Sequence, residues 1–353
     1  MRLAVTVLVV DDSAFMRQLI KQMLESDSEI NVVGVATDGI DALKKIEYYH
    51  PQVVTLDLEM PRMDGLAFLA AVMEKHPLPV VVVSSLAVEG SEQTLQALEL
   101  GAVDFITKPV SRPSQELWRI QDELVIKVKA AAGVTPDLIR QLPDDFPVQE
   151  KVFSHHLPTG VVAVGASTGG PRALRYLLSH LPADFPWSIL IAQHIPREFM
   201  GSLAARLNAL SPLTVKVAED GDELVPGEVL LAPGGLQTGL LRQAGTIKIK
   251  LASKDIIYRP SVDYLFNSVA SVFKNQSVGI LLTGMGADGA YGLKMIKEAG
   301  GITIAESAET CVIYGMPRVA AEIGAVHYQL PLSAIPNSLL SVLEKFAKKN
   351  NES

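Results

Sequence analysis

From Val5 to Leu330 the chain alternates short apolar runs with amphipathic stretches, and the runs end at small or chemically active residues such as Asp11, Asp57, Ser84, Ser167 and His194. This alternation constrains the fold more than any other feature. Strand-sized runs separated by helix-sized segments cannot close as tight hairpins, so successive strands run parallel and the helices cover the sheet. In such sheets the carboxyl ends of the strands share one edge, and that edge is where ligands bind.

In the first half the strand candidates are "VTVLVVD", "NVVGVA", "VVTLD", "VVVVSS" and "DFITK". Between the first two, Met16, Leu19, Ile20 and Met23 fall at i, i+3, i+4 and i+7, which predicts one apolar helical face. Gly101 reads as a helix stop. These units predict a doubly wound (βα)5 domain over residues 4–128. From 129 to 157 the pattern weakens into a proline-bearing linker, with one short helix expected around Pro136 to Leu142. A second α/β block, 158–348, opens with "VVAVGAS" and continues through "WSILIAQH", "TVKVAE", "EVLLAPG", "TIKIKL", "VGILLTG", "GITIAE" and "GAVHYQL". No internal repeat joins the two blocks, so the fold class is α/β with two unrelated parallel-sheet domains.

At 353 residues the chain is long enough for two cores. Its longest apolar runs, "LPVVVV" and "VGILL", are too short to cross a bilayer, and "MRLAVTVLVVDD" runs straight into acids. Neither membrane insertion nor a targeting segment is expected. The one cysteine, Cys311, permits no internal disulfide and fits a cytoplasmic protein. A net charge of −8 argues against a broad nucleic-acid surface.

In the first block Asp11, Asp12, Asp57, Ser84 and Lys108 all stand at strand ends. Each alone is explained by a cap, a turn or surface charge. Together on one edge, three carboxylates make an oxygen site for a hard cation such as Mg2+, and a lysine and a hydroxyl can grip a phosphoryl group. The segments "VLVVDDSAFMR", "VVTLDLEMPRMDGLAFL", "VVVVSSL" and "ALELGAVDFITKP" resemble the receiver domain of two-component response regulators over nearly the whole block. The resemblance implies that Asp57 accepts the phosphoryl group from a sensor histidine kinase, with Asp11 and Asp12 as acidic partners. It implies Mg2+ on Asp12, Asp57 and the Glu59 backbone carbonyl, Lys108 on the phosphoryl group, Ser84 as switch hydroxyl and Phe105 at the aromatic switch position.

In the second block, residues 165–169, "GASTG", match the pattern of a serine on a strand-to-helix bend. Pro171 fits the first helical turn, and Leu174, Leu177, Leu178 and Leu181 form a buried face. A phosphate-cradling loop needs Lys-Ser or Lys-Thr after its last glycine, and a dinucleotide turn needs G-x-G-x-x-G; neither is present. By itself the pentapeptide serves a packing turn equally well. A nucleophile needs a base and a group orienting that base. His194 ends "WSILIAQH" and Asp288 lies in the glycine-rich turn after "VGILLTG", so three strand ends offer Ser167, His194 and Asp288 on one edge. His155, His156 and His180 read as solvated and His327 as mid-strand and half-buried. For Asp288 taken alone, the plain reading is a helix N-cap or an acidic turn residue. The order Ser, His, Asp differs from the Ser, Asp, His of α/β-hydrolases.

"GASTGGPRAL", "IAQHIPREFMGSLAARLN", "AEDGDELVPGEVLLAPGG", "RPSVDYLFNSVA", "ILLTGMGADGAYGLKMIKEAGG" and "CVIYGMPRVAAEIGAV" resemble the catalytic domain of the chemotaxis protein-glutamate methylesterases, which carry a receiver ahead of it. The resemblance implies Ser167 as nucleophile, His194 as base and Asp288 as its orienter. It also implies the Met285 backbone N–H as oxyanion donor, with Thr168 beside the nucleophile. The implied substrates are methylated glutamates, and in some members glutamines, of chemoreceptors, with no cofactor for the ester chemistry. It further implies that the unphosphorylated receiver covers the catalytic edge. Two departures stand out: Gly235-Leu236-Gln237 replaces Asp-x-His, and Tyr258 replaces a histidine before "RPSVD". Neither is expected to touch the triad. The rival expectations are a binding module without catalysis and a DNA-binding output domain, which the acidic α/β pattern disfavours.

Overall fold

The computed structural model describes residues 4–84, 88–108, 114–136, 138, 160–243 and 245–351, with the backbone alone for 88–90, 114–119 and 347–351. The chain divides into two compact units between residues 141 and 142. Most of the linker, including most of its expected helix and both His155 and His156, lies outside the described residues. Among the described residues no helix is long and apolar enough to cross a membrane.

The first unit contains β1 (Val5–Val10), α1 (Ala14–Glu25), β2 (Ile30–Ala36), α2 (Gly39–Tyr49) and β3 (Val53–Asp57), followed by α3 (Gly65–Lys75), β4 (Val80–Ser84), α4 (Val88–Glu99), β5 (Asp104–Thr107) and α5 (Ser114–Ala131). Its five strands are all parallel, in the order β2-β1-β3-β4-β5. The cause is visible in the sequence. Val7–Val10, Val53–Val54 and Val80–Val83 are buried on both faces, and β-branched side chains suit a pleated, doubly covered strand. In α1 Ile20, Met23 and Leu24 are buried, while Met16 and Leu19 of the predicted face are half-buried. Gly101 follows α4 with φ 112°, as a helix stop requires. The chain leaves β1 for one side of the sheet and returns to β3 on the other, so the loops after β1 and β3 part and open a crevice at that switch point.

The second unit holds β6 (Val161–Ala166), α6 (Gly170–Ser179), β7 (Ser188–Gln193), α7 (Arg197–Leu210), β8 (Thr214–Val217), β9 (Glu228–Leu231), β10 (Gln237–Gln243) and β11 (Thr246–Ala252). It continues with α8 (Val262–Phe273), β12 (Ser277–Leu281), α9 (Ala290–Glu298), β13 (Ile302–Glu306), α10 (Met316–Glu322), β14 (Tyr328–Leu330) and α11 (Ile335–Asn351). Seven strands form one parallel sheet in the order β14-β13-β12-β6-β7-β9-β8. From β6 the chain first builds outward through β7, then returns to β12 on the other flank, which places the switch point between β6 and β12. The parallel alternation does not hold everywhere. "TIKIKL" pairs antiparallel with β10 in a separate two-stranded sheet, and β10 itself is missing from the predicted strands. Its sequence, "QTGLLRQ", interrupts the apolar run with a glycine and polar residues because its far half is exposed.

Candidate active site

Ser167 stands one residue beyond β6, where the chain turns into α6. The two glycines of the turn serve different ends. Gly169, with φ +77°, is the residue at which the backbone enters the left-handed region, and it sits at the N-cap of α6. Gly165 is needed for close approach instead: a Cβ there would lie 2.2 Å from Val262 Cγ1, at the start of α8. Pro171 lies in the first turn of α6, as predicted. The Ser167 N–H donates to the Thr283 carbonyl at 3.0 Å, and Thr283 Oγ1 donates to the Thr168 carbonyl at 2.9 Å. The serine turn is thereby tied to the strand end beyond the switch point.

His194 follows β7, and its N–H donates to the Ala166 carbonyl at 3.1 Å. Its Nδ1 lies 3.2 Å from Ser167 Oγ, and its Nε2 lies 2.8 Å from Asp288 Oδ2. An ionised carboxylate can only accept, so Asp288 requires the proton on Nε2 and leaves the Nδ1 lone pair facing the serine hydroxyl. Asp288 is buried. Burial works to raise its carboxyl, but hydrogen bonds from His194, Val262 and Asp263 outweigh it and hold the group below the usual carboxylate range.

The plain alternative for Asp288, a cap on the helix that follows it, is not what the structure has. The N-cap of α9, the helix that follows it in sequence, is Gly289. The Asp288 carboxylate instead accepts from the Val262 N–H at 2.7 Å, the Asp263 N–H at 3.1 Å and Ser261 Oγ at 2.9 Å, so it closes the first turn of α8. Ser261, absent from the sequence-predicted site, caps α8 through Tyr264 N–H and holds the acid with the same hydroxyl. The "S-V-D-Y" start of an apolar helix is a readable cap signal; its link to Asp288 is not. Gln193 is a second residue that the sequence reading missed, since its Nε2 donates to the Ser167 carbonyl at 3.0 Å and the His194 carbonyl at 3.1 Å.

The expectation that neither departure touches the triad is overturned. The Tyr258 ring lies parallel on the His194 imidazole, with centroids 4.5 Å apart and planes 3° from parallel. Gln237 reaches the same segment: its Nε2 donates to the Tyr258 carbonyl at 2.7 Å and its Oε1 accepts the Ser261 N–H at 2.9 Å. Two other histidines are also corrected. His180 is half-buried, with Nδ1 2.7 Å from the Tyr176 carbonyl and its ring stacked on Tyr176, because its helix turns that face inward. His327 precedes β14 and is exposed, with Nδ1 2.8 Å from Thr303 Oγ1. Met285 is half-buried in the turn after β12, and among the described residues its N–H carries no hydrogen bond. Thr168 is buried.

In the first unit, ligand oxygens of Asp11, Asp12 and Asp57 lie within 4.8 Å of one another at the β1/β3 switch point. Asp12 is exposed, and the N-cap of α1 is Ser13, so Asp12 is free of capping. Lys108 Nζ sits 2.6 Å from Asp57 Oδ2 and 3.5 Å from Asp11 Oδ2. Burial raises the Asp57 carboxyl; Lys108 offsets part of that rise and the Asp11 charge adds to it. The Glu59 N–H donates to Asp57 Oδ1 at 3.2 Å. Ser84 ends β4 and hydrogen-bonds to Thr94 Oγ1, and Phe105 is buried in β5. Three clustered carboxylates, two of them paired with Lys108, leave an excess of negative charge on hard oxygen donors, which fits a divalent cation such as Mg2+.

Comparison with known proteins is consistent across the whole chain. Residues 162–339 match the family model for CheB methylesterase, and residues 7–117 match that for the response regulator receiver domain. A protein-glutamate methylesterase/protein-glutamine glutaminase of Symbiobacterium thermophilum is 47% identical over 348 residues, covering 95% of this chain and 96% of the relative. The protein of the same name from Pyrococcus horikoshii is 42% identical over 96% of this chain and 94% of its own length. The crystal structure of the Thermotoga maritima CheB methylesterase catalytic domain superposes with a TM-score of 0.52 at 43% identity, covering 53% of this chain and all of that one.

Proposed function

The chain belongs to the CheB methylesterase family, with a receiver domain ahead of the esterase, and from that premise we propose that it is a protein-glutamate methylesterase and protein-glutamine glutaminase whose nucleophile is Ser167. One observation carries the residue assignment: the two nitrogens of a single imidazole reach Ser167 Oγ at 3.2 Å and Asp288 Oδ2 at 2.8 Å. In this reading residues 4–128 are the receiver, 129–157 the linker and 158–348 the catalytic domain.

His194 Nδ1 takes the Ser167 proton as Oγ attacks the carbonyl carbon of a glutamyl methyl ester. The Met285 N–H, uncommitted within the fold, receives the charge that develops on the carbonyl oxygen; a donor of this kind contributes ~3 kcal/mol to the transition state. Collapse breaks the C–O bond, and the departing methoxide takes the proton from His194 and leaves as methanol. Water then gives a proton to His194 and attacks the acyl-serine, which frees the glutamate and restores the hydroxyl. With a glutamine side chain the same steps release ammonia. The Ser167, His194 and Asp288 chemistry requires no cofactor.

On the receiver, Asp57 is the phosphoacceptor, supplied by a sensor histidine kinase. Asp11, Asp12, Asp57 and the Glu59 carbonyl would hold Mg2+, which would supply positive charge to offset that of the phosphoryl oxygens. Lys108 contacts those oxygens and Ser84 is the switch hydroxyl. Phosphorylation raises the esterase rate, and the substrates are cytoplasmic segments of methyl-accepting chemoreceptors.

The test is methanol release from methylated receptor membranes by the full chain, with and without a small phosphodonor. Ser167→Ala is expected to abolish release, and Asp57→Asn to abolish the stimulation while keeping the basal rate. Undiminished release by Ser167→Ala would leave only a receiver-controlled binding module.

A further inference from the structure

Tyr258 is 39% exposed, yet its ring lies flat on the imidazole of His194, whose side chain is 13% exposed. The ring is held there by its backbone. Gln237, fully buried, grips the Tyr258 carbonyl and the Ser261 N–H with its two amide atoms, and Gly235 N–H donates to the Arg259 carbonyl at 3.0 Å. The segment 258–261 therefore touches both members of the pair that must keep its geometry, through Tyr258 on His194 and through Ser261 on Asp288. The phenol also spans toward the turn that carries the Met285 N–H: a Cβ placed on Gly286 would stand 3.3 Å from Tyr258 Oη.

Resting on the esterase reading above, we infer that Tyr258 is a positioning residue for the catalytic base: its ring fixes the imidazole plane that aims Nδ1 at Ser167 and favours the imidazolium that forms when the serine proton is taken. The physical grounds are two. An imidazole hydrogen-bonded at both nitrogens can still rock about the line joining its partners, and a parallel ring at 4.5 Å opposes that motion. The negative face of an aromatic ring attracts a cation above it, so the stack strengthens as His194 becomes charged, which is when the barrier is crossed. Among the described residues, the titratable groups in contact with the His194 ring are Asp288 and Tyr258; Asp263 stands behind Asp288, with Oδ1 accepting the Gly292 N–H at 2.6 Å.

The experiment compares Tyr258→Ala, Tyr258→Leu and Tyr258→Phe in the full chain, with Ser167→Ala as control. Removal of the π face in the Ala and Leu variants should lower kcat by about 3- to 30-fold and leave KM within about twofold. The pH profile of kcat should move to lower pH in both, because the imidazolium loses its stacked partner. Tyr258→Phe, which keeps the ring, should restore kcat and the pH profile. Nitrogen-15 spectra of His194 in the same proteins read the imidazole titration without any turnover and should move in the same direction. Parental kcat and titration in Tyr258→Ala, full activity in Tyr258→Leu, failure of Tyr258→Phe to rescue, or a loss confined to KM would each overturn the inference. Release that persists in Ser167→Ala overturns the esterase reading instead, which keeps the two failures apart.

Discussion

Asp288 Oδ2 accepts the His194 Nε2–H at 2.8 Å while the same oxygen accepts the Val262 N–H at 2.7 Å. The acid that orients the base is therefore also the anion at the start of α8, and the positive end of that helix helps to keep it ionised. Site geometry and helix capping are one structure.

Asp288→Asn tests that coupling. An amide in place of the carboxylate can offer an N–H to His194 and so favour the wrong tautomer, and turnover should fall by about 10^3- to 10^4-fold. The Val262 and Asp263 N–H groups lose a charged acceptor, so stability should fall by about 1–3 kcal/mol. Methanol release and a thermal melt on the same sample check both. A lost rate with an unchanged melt would mean that α8 does not depend on this cap.

Thr283→Val probes the serine turn from behind. Thr283 Oγ1 donates to the Thr168 carbonyl and accepts the Ile313 N–H at 3.0 Å. Valine keeps the shape but can neither donate to the Thr168 carbonyl nor accept from the half-buried Ile313 N–H, and the loss of these two bonds costs about 1–3 kcal/mol. We expect lower kcat with little change in KM, because Ser167 is displaced while the rim is untouched.

Glu306 predicts a pH dependence of stability. It ends β13 fully buried, with Oε2 accepting the Thr283 N–H at 2.8 Å and Oε1 accepting from Thr310 Oγ1 at 2.9 Å. Burial pushes its carboxyl up from 4.5 to about 7, against those hydrogen bonds, which lower it. Between these values the unfolded chain is ionised and the folded chain protonated, so unfolding releases a proton and stability declines as pH rises. The full loss, above pH 7, is about 3 kcal/mol. Glu306→Gln should lack this decline, and melts from pH 4.5 to 8 compare the two; parallel curves would show that Glu306 does not carry it.

Removal of divalent cations should separate the two halves of the protein. With chelator present, phosphoryl incorporation at Asp57 should stop, since Lys108, paired with Asp11 and Asp57, then offsets only part of the charge of the three carboxylates. Basal methanol release should be unchanged. Incorporation that survives chelation would show that the cluster works without a metal.

The alternation of apolar runs and helical segments determined the parallel sheets, because strands without hairpin turns leave few alternatives. It also determined which residues stand at the carboxyl edge: Asp11, Asp57, Ser167, His194 and Asp288 are each readable as the punctuation of a run. It could not show that β10 and β11 leave the main sheet, since a half-exposed strand broken by Gly239 has no clear period. Nor could it show which of the available histidines faces a serine. Strand order decides that, by placing β7 beside β6 and β12 on its other flank. The contacts that complete the site, Ser261 on Asp288, Tyr258 on His194 and Gln237 on both ends of the segment between, are side-chain meetings across distant stretches of chain. Periodicity reports the face a residue presents and spacing reports the element it sits on. Only the packed backbone brings an exposed tyrosine over an imidazole 64 positions earlier in the chain.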